Sequence, residues 1–177
     1  MDFDQHPLWK FSLAVYGAPG VSAACLDLQA RRGADVNLLL YAAFVGVSGR
    51  GRLTPAEIAA CRAAVRPWTE AVVLKLRAIR RALKADLGAV AADQAAPLRR
   101  QLAALEIEAE KLEQRTLAAR LADPPADRTS DPIADALANM RACLATLEAP
   151  DEAADMAALA VIAGALPPSV TPVPPSV

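Results

Sequence analysis

The chain has 177 residues and a mass of 18.5 kDa, room for one ordinary domain with a single core. Alanine fills 42 positions and aromatics only seven (Phe3, Trp9, Phe11, Tyr16, Tyr41, Phe44, Trp68), which excludes an all-β sandwich built on β-branched and aromatic residues. The net charge of -1 conceals a split: residues 1–60 balance, residues 61–100 carry nine basic against three acidic side chains, and residues 101–177 carry five against twelve.

Alanine and leucine at this density predict an all-α fold. Pro7 opens a first helix through Leu8, Trp9, Phe11, Leu13 and Val15, closed near Gly17. After Pro19-Gly20, Val21, Ala24, Cys25 and Leu28 follow the helical spacing of one apolar face, and Arg31-Arg32-Gly33 is a helix end. Asp35 then caps a third helix, Val36 to about Val47, apolar nearly all round and therefore the buried centre. Ser48 to Arg52 is a flexible loop, and Thr54-Pro55-Ala56-Glu57 is a capping box. The helix from Pro55 meets Pro67, which bends it or starts a fresh one. Across it Val65, Trp68, Val72, Leu76, Ile79 and Leu83 form a stripe, with Arg77, Arg80, Arg81 and Lys84 on a basic flank.

Gly88 to Ala96 is a connection, and Pro97 opens a long helix with Leu98, Leu102, Leu105, Ala109 and Leu112 as its stripe. Glu106, Glu110 and Glu113 line one flank of that helix. Antiparallel folding of the two long helices makes a hairpin with Leu105 near Leu76, stopped at Asp123-Pro124-Pro125. Asp131-Pro132 starts a helix that Pro150 ends, and an alanine-rich helix covers Glu152 to Ala163. The expected organisation is a single helical domain over residues 1–163. It divides into an aromatic-containing core (6–68), a charged hairpin (65–122) and packing helices (131–163), with a disordered proline-rich tail over 164–177.

The string His6-Pro7-Leu8-Trp9-Lys10-Phe11-Ser12-Leu13-Ala14-Val15-Tyr16 is followed by Pro19-Gly20-Val21, Cys25-Leu26-Asp27-Leu28-Gln29 and Asp35-Val36-Asn37-Leu38-Leu39-Leu40. It resembles a small bacterial family of unknown function whose members open on this pattern. The resemblance is detailed over residues 6–47 and looser through Pro67-Trp68 and Leu76-Arg77. It implies a soluble bacterial helical protein and brings no catalytic residue with it.

The residues themselves point away from chemistry. Cys25, Cys61 and Cys143 are widely spaced and His6 is the single histidine, so neither a disulfide framework nor a zinc site is legible. Glu106, Glu110 and Glu113 lack the histidines of a di-iron site and read as a solvated face or a charge partner of the basic helix. His6 is the one base available to a serine or cysteine nucleophile, and no metal or cofactor is expected. The acidic opening has no apolar signal segment, and the run Val36–Val47 falls short of the ~20 residues of a membrane span. A cytoplasmic protein off the membrane is the expectation.

Three non-catalytic readings remain open. In the first, the charged hairpin binds a protein partner or a second copy. In the second, Arg77, Arg80, Arg81 and Lys84, joined by Arg99 and Arg100, form a basic patch for an anion or nucleic acid. Antiparallel register sets the glutamates nearer residues 68–75, so this reading expects the Arg80 end to stay uncompensated. In the third, Trp9, Tyr16, Asn37, Tyr41 and Phe44 line a small-molecule pocket in the N-terminal bundle.

Overall fold

The structure is a computed structural model in which residues 2–122, 131–148 and 150–170 are described. Helix limits follow the punctuation in the sequence. α1 (Pro7–Tyr16) starts on Pro7, with the His6 ring accepting from the Leu8 amide. α2 (Val21–Arg32) closes on Gly33, which takes the left-handed conformation at φ 62°. α3 (Val36–Val47) begins where the Asp35 carboxylate accepts from the Leu38 amide at 3.1 Å. α4 (Pro55–Trp68) carries both halves of the Thr54–Glu57 capping box. A π-helical turn (Thr69–Val73) leads directly into α5 (Leu74–Ala82). After turns, α6 (Ala96–Ala118), α7 (Pro132–Ala145) and α8 (Glu152–Gly164) complete the chain. Among the described residues no strand forms, so the fold is all-α.

The core gathers round α3, whose residues from Asn37 to Val47 are all buried. Leu8, Phe11, Leu28, Ile58 and Met140 close over it from four other helices, and the Phe11 and Phe44 rings meet edge-on at 5.4 Å between centroids. The most extensive helix pairing is α3 on α7. It depends on Gly46, where a Cβ would lie 2.2 Å from the Ala136 nitrogen, so a glycine is required for the backbones to approach this closely.

The second of the two arginines ending α2 is more than a cation at a helix pole. The Arg32 side chain is 3% exposed, pairs with Asp155 of α8 and donates to the carbonyls of Leu144, Leu147 and Glu148. Such a buried charge is tolerable because its donors are met by a carboxylate and three carbonyls. The chain past Gly164 departs from the expected tail at its start. Leu166 joins the core, Val170 packs against it, and the Val170 amide donates to the Val47 carbonyl at 3.3 Å, because burying two apolar side chains offsets the cost of ordering the segment. Residues 171–177 and the stop expected at Asp123-Pro124-Pro125 lie outside the described residues. Among the described residues no single helix is long and apolar enough to cross a membrane.

Candidate functional site

The π turn sets the orientation of the basic helix. Pro67 has no amide hydrogen to give, and the Thr69 hydroxyl donates back to the Val65 carbonyl at 3.1 Å, so the hydrogen-bond ladder widens there. One extra residue per turn shifts the phase of everything downstream. Val73, not Val72, is buried, and four and seven residues later the inward positions fall on Arg77 and Arg80. Ile79, expected on the apolar stripe, is half exposed.

α6 is rotated to match. Its buried residues are Leu102, Glu106, Ala109, Glu113, Gln114 and Leu117, while the expected stripe members Leu98, Leu105 and Leu112 are 51%, 53% and 48% exposed. The glutamates are thus not a solvated flank. Arg77 donates to Glu110 at 2.6 Å and Arg80 donates to Glu106, so the register differs from the expected one and the Arg80 end is compensated. Opposite charges decide this face, since each guanidinium finds a carboxylate in a partly desolvated space. Burial pushes the Glu110 carboxyl up, and the Arg77 charge opposes that shift. The hydrogen bond to Glu106 holds the Arg80 guanidinium above its ordinary value.

Between this hairpin and the N-terminal helices lies a cleft of about 330 Å³. Trp9, Leu13 and Tyr16 of α1, Leu26 of α2 and Ile107 of α6 give it an apolar wall. Arg77, Arg80 and Arg81 form the facing side, with Glu106 and Glu110 behind them. Three guanidinium groups against two carboxylates leave one positive charge in excess. Arg81 is exposed at the rim and makes no ion pair among the described residues, while Arg77 and Arg80 are engaged. A second cavity of about 300 Å³ adjoins the first and shares Gln29, Val36, Asn37, Arg77 and Arg81 with it.

A buried polar chain separates the cleft from the core. The Ser12 hydroxyl donates to the Gln114 carbonyl oxygen at 2.9 Å. The Gln114 amide donates to Asn37 at 3.0 Å, and the Asn37 amide donates to Glu113 Oε2 at 3.1 Å. Glu113 is 1% exposed, and its Oε1 has no hydrogen-bond partner among the described residues. Burial first, and then the nearby Asp35 carboxylate, push the Glu113 carboxyl up to about 9. A neutral acid at the end of an amide relay can exchange a proton or receive a donor from a ligand.

The structure divides both sets of expected site residues. Trp9, Tyr16 and Asn37 line the cleft, whereas Tyr41 and Phe44 are packed inside the core. Tyr41 and Phe44 sit on the inward side of a helix buried all round, which a count of aromatics does not distinguish from a pocket wall. Of the basic residues, Arg77, Arg80 and Arg81 reach the cleft. Arg99 donates to the Leu83 carbonyl at 3.2 Å, closing the tip of the hairpin, and Lys84 and Arg100 are exposed outside the cleft lining. Three of the six cations therefore line the cleft and three do not. Ser12, Gln29, Gln114 and the inward role of Glu113 escaped sequence reasoning, although polar residues at the spacing 106, 110, 113 and 114 trace the inner face of α6. Among the described residues no group of three or more His, Cys, Asp or Glu side chains is arranged to hold a metal ion.

The family model for a protein of unknown function, DUF2390, matches residues 7–117. The chain belongs to that family. Comparisons with curated proteins and with solved structures gave no match. The matched segment of the DUF2390 family runs from the start of α1 to one residue short of the end of α6. Every residue lining the two adjoining cavities falls inside it, whereas α7 and α8 fall outside. The cleft is therefore built wholly from the matched segment, while α7 packs on α3 and α8 on α2.

Proposed function

We propose that the cleft binds a small organic anion with an apolar body, making this a ligand-binding member of its family and not a catalyst. The observation that carries the reading is Arg81, a guanidinium without an ion partner among the described residues, at the rim of a cavity walled by Trp9, Leu13, Tyr16 and Ile107. A volume of about 330 Å³ suits a molecule of metabolite size. An acid group would meet Arg81 bidentately while the apolar body covers the half-exposed leucines at the mouth. Phenylpropionate is a suitable probe, read by thermal shift and calorimetry. Arg81→Ala is expected to weaken it by about tenfold, the loss of one charge-assisted contact of ~1.4 kcal/mol. Equal affinity of the variant and the parent would overturn the reading.

A second reading has its own support. Leu98, Leu105 and Leu112 recur every seven residues on the outer face of α6 and are half exposed, a seam suited to a protein partner or a second copy. Native mass and partner capture test it: Leu105→Glu should release the associated species, and an unchanged complex counts against it. Nucleic-acid binding is the least supported of the three, because Arg77 and Arg80 are spent on Glu110 and Glu106.

A further inference from the structure

The second cavity differs from the first in what its deep end offers. Asp35 and Glu113 both line it, from the start of α3 and from α6. Glu113 is buried, and its Oε1 has no partner among the described residues. The donors nearby are engaged elsewhere. Asn37 gives its amide to the other Glu113 oxygen, the Thr69 hydroxyl goes to Val65, and Arg77 goes to Glu110. Asp35 is itself an acceptor, holding the Leu38 amide. Two carboxyl groups thus face a space of about 300 Å³, and the buried Glu113 Oε1, which holds the proton of the neutral acid beside the Asp35 carboxylate, is costly to leave without a partner until something replaces that proton.

An ammonium group supplies three donors and a charge of the right sign. Arg81 lines both cavities, so an acid group held there leaves one arm of the ligand in each. We infer that the ligand is an amino acid with an apolar side chain, its ammonium seated between Glu113 and Asp35, its carboxylate on Arg81 and its side chain against Trp9 and Tyr16. The acid end of this inference rests on the anion-binding reading above, and the amine end does not. The charged groups lining the second cavity are Asp35 at the start of α3, Arg77 and Arg81 on α5 and Glu113 on α6, with Glu110 on Arg77 behind them. Of these, Glu113 is the buried carboxyl that enters neutral and must ionise, so seating an ammonium releases a proton to solvent.

The test uses the full chain and three matched probes: phenylalanine, phenylpropionate, which lacks the amine, and phenethylamine, which lacks the acid. Phenylalanine should bind at least about tenfold tighter than phenylpropionate, the ~1.4 kcal/mol of one charged contact. Glu113→Gln should erase that advantage. Independently of any variant, calorimetry of the parent protein in buffers of different ionisation enthalpy should report release of about one proton per phenylalanine and none per phenylpropionate. Equal affinities for phenylalanine and phenylpropionate overturn the amine seat, the result expected if water alone fills it, and leave the anion reading standing. Binding of phenethylamine without phenylpropionate overturns the anion reading and keeps the seat. Tighter phenylalanine binding without proton release overturns Glu113 as the seat, and no binding by any probe overturns both.

Discussion

The core round α3 and the hairpin of α5 and α6 are held together by different forces. Around α3 the packing is mostly apolar, Asn37 at its first turn excepted, and the approach of Gly46 to Ala136 leaves no room for one more carbon. In the hairpin arginines and glutamates take inward positions beside Leu102 and Ala109, while several leucines and two isoleucines, Ile79 and Ile107, stand half exposed. The difference teaches what each part is suited for. Dry packing fixes a scaffold, whereas a charged seam cannot be sealed without cost and leaves a cleft beside it with a guanidinium to spare.

Substitutions can break this contrast, and the largest effect belongs to the core. Phe44→Ala should cost about 3–5 kcal/mol in urea unfolding, since the ring is wholly enclosed and the space cannot collapse. Gly46→Ala should cost about 3 kcal/mol or more despite adding a single methyl group, because the clash is with backbone atoms of α7 that have no rotamer to change. Should either variant melt like the parent, the α3 scaffold is looser than its packing implies. On the hairpin side Glu106→Ala should cost about 1–2 kcal/mol. Its carboxylate is buried, yet Arg77 and Arg80 keep access to solvent that softens the loss.

Acidity sharpens the comparison further. An unfolded glutamate titrates at about 4.3, while burial and the neighbouring Asp35 carboxylate push the Glu113 carboxyl well above that in the folded protein. Between the unfolded and folded values folding must take up a proton, so this residue's contribution is fully present at low pH and is lost as pH rises. The melting temperature of Glu113→Gln should therefore gain on the parent steadily from pH 5 to pH 8. Parallel curves would show that Glu113 ionises normally. The smallest effect is expected at Leu105→Ala, within about 0.5 kcal/mol in monomeric protein, although the expected stripe gave it the same rank as Leu102. A loss of 2 kcal/mol or more there, the scale of a buried leucine, would restore the leucine stripe to the interior.

Much of the fold was legible because its signals are local. Pro7, Gly33, Asp35, Thr54 and Glu57 each act within a turn of the chain, and each performs the role its neighbours imply. The candidate site was legible only by halves. Trp9, Tyr16 and Asn37 belonged to one expected pocket and Arg77, Arg80 and Arg81 to a separate expected patch, and the cleft takes three from each. The join between them depends on the phase of α5, which the π turn after Pro67 changes by a residue. Hydrophobic periodicity assumes an unbroken helix, so it carried the apolar stripe past the turn and placed Ile79 where Arg80 stands.

What the sequence by itself determined is therefore an all-α chain, the starts of its helices, a centre at Val36–Val47 and family membership. These follow from propensity, capping and composition, which act over a few residues. Tertiary structure alone decided which face of α6 turns inward, since leucines and glutamates both recur at helical spacing and only the facing arginines and the Asn37 relay break the tie. It also decided that Glu113 is buried beside Asp35, a meeting of residues far apart in the chain on which the reading of the cleft now depends.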